Sequence, residues 1–401
     1  MVNIAVLGYG TVGSGVVEVI NKNHDSINKR AGEDINVKYV LDLREFPGDP
    51  VQDILVHDYN VILGDPEVKI VVEVMGGLNP AYSFVKEALL AGKSVATSNK
   101  ELVAAHGAEL IRIAKDKNVN FLFEASVGGG IPIIRPLNQS LTADEFSEIT
   151  GILNGTTNYI LSKMTDEGSD FESVLKQAQE LGYAERNPEA DICGYDACRK
   201  IAILTSLACG RQVDYSDIYT EGITNITDTD IKYAKALDGA IKLLGTSSID
   251  GDKVYSMVAP FIIGKDHPLA NVNGVFNGIY IDGNMLGGTM FYGKGAGKLP
   301  TASAVVSDVV DAVKHMDTNI MTIWAPEKIE LCDIKDFCCR FFVRVKTAGK
   351  SDIEAAFGNV SYVAAEGVDG ETAFLTDKIS ERTFDEKIKS LDIISRIRTT
   401  L

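Results

Sequence analysis

Val2-Asn3-Ile4-Ala5-Val6-Leu7-Gly8-Tyr9-Gly10-Thr11-Val12-Gly13 is the stretch that decides the fold, together with Ser14-Gly15-Val16-Val17-Glu18-Val19-Ile20 behind it. Its first half reads as a buried strand and the residues after Gly13 have helical character. Gly8-x-Gly10-x-x-Gly13 therefore sits between a strand and a helix. In that context Gly8 permits a tight turn, Gly10 lets backbone approach a pyrophosphate, and Gly13 lets helix and strand pack closely. The helix N-terminus then faces the phosphates. Tyr9, Thr11 and Val12 complete a candidate dinucleotide loop. A glycine turn with no ligand is the bland reading, and the surrounding alternation of elements disfavours it.

Outward from this motif, strands are expected at 37–41, 70–74, 94–97 and 120–124, with helices near 83–91 and 104–117. Strands alternating with helices imply a parallel sheet with crossover helices. Asp42 follows the second strand, delayed by a polar insertion at 21–36. An acid there favours the ribose hydroxyls of NAD, whereas Arg44 offers a cation to the extra phosphate of NADP, so both cofactors stay open. Further on, strands are expected at 146–153, 253–263 and 275–281, and helices at 157–164, 171–181, 196–208 and 302–315. The glycines Gly293, Gly295 and Gly297 lack the Gly-Lys-Ser/Thr ending of a nucleoside-triphosphate loop. They read instead as a return of the chain to the cofactor, with Gly297 close to the nicotinamide.

The chain has 401 residues, enough for two or three domains, and its 45% apolar and 24% charged residues are those of a globular protein. A net charge of -17 argues against a nucleic-acid partner. No apolar run approaches the ~20 residues of a membrane span, and no signal-peptide cleavage pattern follows the N-terminus. Six cysteines are too sparse for a disulfide scaffold. They read as reduced thiols in a cytoplasmic protein. The five histidines form no metal motif, so a zinc enzyme is not expected.

Seven motifs in order carry a more specific message. They are Gly8–Gly13, Thr97-Ser98-Asn99-Lys100, Glu124-Ala125-Ser126-Val127-Gly128-Gly129-Gly130-Ile131-Pro132, Gly151-Ile152-Leu153-Asn154-Gly155-Thr156-Thr157-Asn158-Tyr159, Gly182-Tyr183-Ala184-Glu185, Asp196-Ala197-Cys198-Arg199-Lys200, and Gly295-Ala296-Gly297-Lys298-Leu299-Pro300-Thr301-Ala302. Over roughly 1–320 the chain resembles homoserine dehydrogenase. Ser98, where the family often has Ala, and Asn187-Pro188, where Asp-Pro is common, are short departures.

Oxidising an alcohol by hydride transfer requires a base for the hydroxyl proton. Lysine serves if burial or a neighbouring cation lowers its pKa, and Lys100 and Lys200 are the candidates. Lys200 lies one helical turn after Asp196. The resemblance implies that Lys200 is the proton donor and acceptor, and that Lys100 binds substrate and cofactor near the nicotinamide. It implies that Glu185 and Asp196 bind homoserine, and Asp191 lies between them. It further implies sodium or potassium held by Glu124 and the backbone oxygens of Val127, Gly129 and Ile131. In isolation each of these residues reads as an ordinary surface or turn residue.

The expected fold is α/β. A Rossmann-type NAD(P)-binding domain covers 1–136 and is completed by a helix at 300–320. A central α+β substrate and oligomerisation domain covers 137–299. A small βαββαβ domain covers 328–401 and resembles the ACT domains that carry feedback control in this family. Its ligand-loop pattern at Lys346-Thr347-Ala348-Gly349-Lys350 is weak, which leaves threonine sensitivity open. The expected function is the interconversion of L-homoserine and L-aspartate 4-semialdehyde with NAD or NADP, by a homodimer or homotetramer without nucleic-acid or membrane partners. Two competing readings are another amino-acid pathway dehydrogenase and a non-catalytic sensor of dinucleotide and amino acid. An acyl-forming dehydrogenase would need a cysteine nucleophile. Cys198 is two residues from both Asp196 and Lys200, so it faces another side of their helix.

Overall fold

Strand β1 (Val2–Leu7) is apolar and buried at every position but Asn3, which suits the centre of a parallel sheet covered by helices on each side. The computed structural model describes Met1–Lys346 and Gly349–Leu401; Thr347 and Ala348, in the weak loop pattern noted above, lie outside the described residues. The chain divides into two compact units. The first holds Met1–Asp144, Ala202–Tyr215 and Gly293–Ile329, and the second holds Glu145–Ile201, Ser216–Tyr292 and Glu330–Leu401.

In the first unit β1 leads into α1 (Thr11–Lys22), α2 (His24–Ala31), β2 (Ile35–Leu41), β3 (Leu55–Val56) and α3 (Tyr59–Gly64). Then follow β4 (Val68–Glu73), α4 (Ala81–Leu90), β5 (Ser94–Thr97), α5 (Lys100–Asp116) and β6 (Phe121–Leu122). The six strands run in the order β3-β2-β1-β4-β5-β6, with every pair parallel. The order reverses direction beside β1, which places a crevice at the carboxyl ends of β1 and β4.

The polar insertion at 21–36 is largely helical: α1 runs on to Lys22 and α2 follows, with Ile27 and Ala31 buried. Helix α5 starts four residues earlier than its apolar pattern suggested, because the Asn99 side chain accepts from Leu102 N and caps it. Helix Lys298–Lys314 returns to pack on α1, and a Cβ on Gly15 would meet Lys298 O at 2.9 Å. The helix expected at 300–320 thus ends at Lys314.

The second unit is built on a long sheet. Its strand order is Gly287–Lys294, Phe276–Gly283, Phe146–Ile152, Gly239–Asp250, Lys253–Gly264, Ile393–Thr399, Cys338–Lys346, Glu371–Leu375 and Ser361–Val363. Among the tail's elements, Phe341, Val343 and Val345 form one cluster with Phe384, Ile388 and Leu391, the two stripes noted in the sequence. The covering helix begins at Glu381, because Ser380 caps it, and gives way to a short 3-10 turn at Ile388. No helix among the described residues is long and apolar enough to cross a membrane.

Lys242 in Gly239–Asp250 is buried, and its ammonium donates to Val272 O at 2.7 Å and Asn273 Oδ1 at 2.8 Å. Burial pushes its amine down from 10.5 to about 8. Below that pH both folded and unfolded chains carry the proton, and the fold bears the full burial penalty. Between about 8 and 10.5 the unfolded chain keeps a proton that the folded chain has shed, so stability rises with pH. Lys242→Met removes that dependence. Thermal melts across this window should show native-minus-variant Tm rising with pH; a constant difference would refute the buried-amine account.

Candidate active site

The dinucleotide half lies at the turn from β1 to α1. Gly8 has φ +95°, in the region that favours glycine. A Cβ on Gly13 would lie 1.9 Å from Gly8 O, whereas a Cβ on Gly10 would meet nothing within 4 Å. Gly13 is thus required by packing of the protein against itself, whereas Gly10 faces open space. The Asp42 carboxylate, after β2, accepts from Tyr9 N at 2.8 Å and from Arg44 Nε and Nη2 at 3.0 and 2.9 Å. The Arg44 guanidinium holds it well below the usual carboxylate range. Arg44 also donates to Tyr9 O, so loop and pair are one assembly. A cavity of about 510 Å³ opens beside it, lined by Asp42, Arg44, His57, Tyr59, Met75 and Phe84. Sequence reading had given His57 no role. Its Nδ1 bonds Asp42 O at 2.6 Å and its Nε2 bonds Glu45 at 2.9 Å, and these acceptors push its pKa up.

Lys100 is the first residue of α5, at the carboxyl end of β5. Gly297, with φ +121°, precedes helix Lys298–Lys314.

In the second unit the structure brings Asp191, Asp196 and Lys200 together around a residue with no assigned role, Asn154. Asp191 ends up near Asp196 because Gly194, with φ +85°, turns the chain between helices Glu189–Ile192 and Tyr195–Cys209. The Asn154 amide donates to Asp191 Oδ1 at 2.7 Å and Asp196 Oδ2 at 2.8 Å. Lys200 Nζ donates to the same Asp196 oxygen at 2.6 Å and to Leu153 O at 2.8 Å. Asp196 and Lys200 are only 4% and 8% exposed. Burial, then the charge of Asp196, push the Asp191 carboxyl up. Asn154 also caps helix Gly155–Glu167 by accepting from Thr157 N, and this cap was the sequence signal available. Glu185 is exposed, and among the described residues no hydrogen bond joins its carboxylate to this group. Its main-chain oxygen accepts from Gln179.

The turn at Glu124 belongs to the first unit. The buried Glu124 carboxylate accepts from Ile133 N, Ile134 N and Arg135 N at 2.6–2.8 Å. Gly129, with φ +55°, packs against the glycine-rich stretch: a Cβ there would lie 2.4 Å from Gly295 O.

Residues 8–124 match the family described as the NAD-binding domain of homoserine dehydrogenase, and 132–310 match the homoserine dehydrogenase family itself. A homoserine dehydrogenase of Synechocystis sp. is 43% identical over 374 residues, 90% of this chain and 85% of that one. The chain belongs to the homoserine dehydrogenase family. The crystal structure of a homoserine dehydrogenase from Thiobacillus denitrificans is similar over 99% of this chain and 98% of its own, at 34% identity and a TM-score of 0.91. A hyperthermophilic archaeal homoserine dehydrogenase in complex with NADPH covers 78% of this chain and 97% of its own, at 28% identity and a TM-score of 0.65.

As a homoserine dehydrogenase the chain is an oxidoreductase with an NAD-binding domain, and its two crucial glycines separate by experiment. Gly13→Ala should lower thermal stability, because the added methyl collides with the Gly8 carbonyl. Gly10→Ala should melt like the native chain yet bind dinucleotide at least ~10-fold more weakly, a loss of about 1.4 kcal/mol. Isothermal titration beside melting curves checks both; unchanged affinity in Gly10→Ala would remove the phosphate from that turn.

Proposed function

We propose a division of roles within the NAD(P)-dependent interconversion of L-homoserine and L-aspartate 4-semialdehyde, a step toward threonine and methionine in the cytoplasm. The observation that carries it is the Asp191–Asn154–Asp196–Lys200 array: a buried ammonium fixed by a buried carboxylate, next to a second, half-buried carboxylate. Lys200 as the neutral amine takes the hydroxyl proton during oxidation, and as the ammonium it returns that proton to the aldehyde oxygen during reduction. Asp196 and Leu153 O hold its Nζ in place. Asp191 and Asp196, with Glu185 from the preceding loop, bind the substrate ammonium. An ammonium beside Asp191 would offset the burial that pushes its carboxyl up.

Bound NAD or NADP accepts or returns the hydride. The Gly8–Gly13 turn holds its pyrophosphate, with Tyr9, Thr11 and Val12 in the loop. Asp42 with Arg44 addresses the adenosine ribose or its phosphate; the match to an NAD-binding domain and the NADPH-bound archaeal relative together keep both dinucleotides in play. Lys100 and Gly297 act at the nicotinamide end. A hard monovalent cation, sodium or potassium, suits the oxygen-rich turn at 124–131. The Glu124 carboxylate is committed to three amides, so Glu124 would contribute its main-chain oxygen beside those of Val127, Gly129 and Ile131. Its role would be to fix the turn.

We assign 1–136 with helix Lys298–Lys314 to dinucleotide binding, 137–299 to substrate binding and assembly, and 328–401 to an ACT-like module. The tail's element order and its single apolar cluster support the last. A homodimer or homotetramer is expected, which sedimentation would size.

Lys200→Ala should fold, bind dinucleotide as the native chain does, and lose homoserine turnover by at least ~10²-fold. Following absorbance of the reduced cofactor with homoserine and NAD or NADP measures this. Near-native turnover would remove Lys200 from the proton transfer.

A further inference from the structure

Strands β4 and β5 pair in parallel, and their last residues, Glu73 and Thr97, stand opposite each other in register. Both side chains are fully buried. A carboxylate is costly at such a place, and burial pushes the Glu73 carboxyl up. Both of its oxygens nonetheless have partners. Oε1 accepts from Met75 N at 2.8 Å and Gly76 N at 3.2 Å. Oε2 accepts from the Thr97 hydroxyl at 2.7 Å. The hydroxyl is the donor because a carboxylate only accepts, and its free lone pair lets Thr97 Oγ1 accept from Asn99 N at 3.0 Å. The Asn99 side chain then donates to Gly77 O at 2.6 Å and accepts from Leu102 N at 3.1 Å. The chain of bonds closes into a ring: Glu73 to the 75–77 loop, the loop to Asn99, Asn99 to Thr97, Thr97 back to Glu73.

This ring sits at the carboxyl ends of two strands, where an open parallel sheet binds its ligand. It also contains the cap of α5, and the residue after that cap is Lys100. We propose that Glu73, Thr97 and Asn99 are positioning residues for hydride transfer: their buried ring fixes the start of α5, and through it the Lys100 ammonium, against the 75–77 loop. The inference rests on the role given to Lys100 above. Nothing in the ring touches the reacting atoms. Its effect comes from geometry, and a displacement of about 1 Å can cost ~10²-fold in rate.

The test uses the full chain with Thr97→Val, which keeps the shape of threonine and breaks the ring at its centre, with Thr97→Ser, which restores the hydroxyl, and with Lys100→Met. For Thr97→Val kcat should fall about 10- to 100-fold, while dinucleotide Kd, measured by titration, changes less than about threefold. Thr97→Ser should recover most of the loss. In the double variant the two losses should not multiply, because each removes the same placed ammonium. If Lys100→Met alone keeps native kcat, the reading of Lys100 fails, and the inference with it. If Lys100→Met is slow but Thr97→Val is not, or if the losses multiply, Lys100 stands and the ring is merely structural. Should Thr97→Val fail to fold, Glu73→Gln serves: it keeps the acceptor for the two amides and loses the one for the Thr97 hydroxyl. It should lower kcat with little change in Kd, and native kcat in that variant would overturn the proposal.

Discussion

Two carboxylates placed side by side away from water repel each other, and half-buried Asp191 and buried Asp196 are tolerated together because a donor stands between them. The Asn154 amide has two N–H groups, and each takes one acid. Lys200 neutralises the Asp196 side of the arrangement. Everything near this group serves it. Gly194 reverses the chain so that an acid before it can meet one after it. The Asn154 carbonyl is spent on the Thr157 amide, which fixes the side-chain flip and keeps both N–H groups aimed at the acids. One residue thus starts a helix and sets the electrostatics of the site. In the proposed role, a substrate ammonium would meet acids already held apart and oriented, which leaves little ordering cost to binding.

The first unit solves a different problem with the same economy. A dinucleotide is long, and its ends must be held by different strands of one sheet. Absence of a side chain does this at Gly13, where helix and strand must touch, and at Gly10, where nothing of the protein fills the space. At the second strand the Asp42–Arg44 pair is tied to the same loop through Tyr9. Asp42 lies further along the chain than the usual spacing because α2 intervenes, and it stands just after β2, where the sequence already placed it.

What the sequence made legible followed from periodicity and punctuation. The alternation of Phe341, Val343 and Val345 and the stripe of Phe384, Ile388 and Leu391 needed no structure to be placed on facing surfaces. The strand Gly239–Asp250 was not read, because it is buried on both faces and carries Lys242 and glycines in place of an apolar run. Helix Asp228–Ala236 was also missed, although Thr227 and Asp230 form a capping box at its start. In the site, Lys200 and Asp196 share a helix, so their contact could be foreseen. Asn154 and Asp191 meet across a fold, as do Glu73 and Thr97, and no local pattern relates such residues. Glu185 was drawn in by its motif, and it stands exposed on a loop.

The tail has its own apolar cluster, yet its edge is not its own. Ile393–Thr399 pairs in parallel with Lys253–Gly264 at only two positions, Phe261 with Arg398 and Ile262 with Thr399. A ladder so short specifies register weakly. Buried ion pairs supply the rest. Arg398 reaches Glu221 at 2.7 Å and also bonds Glu381, with its guanidinium over the Tyr219 ring. Arg344 forms a fork with Glu371 and bonds Asp230 at 2.7 Å. Such pairs seldom add net stability over a well-packed apolar contact, but breaking one strands a buried charge. Asp230 is wholly buried and belongs to the capping box of its own helix. Without the tail it would keep its cap and lose its cation. The arginines therefore penalise a shifted register: Arg344 joins Glu371 of the tail to Asp230 outside it, and Arg398 joins Glu381 of the tail to Glu221 outside it.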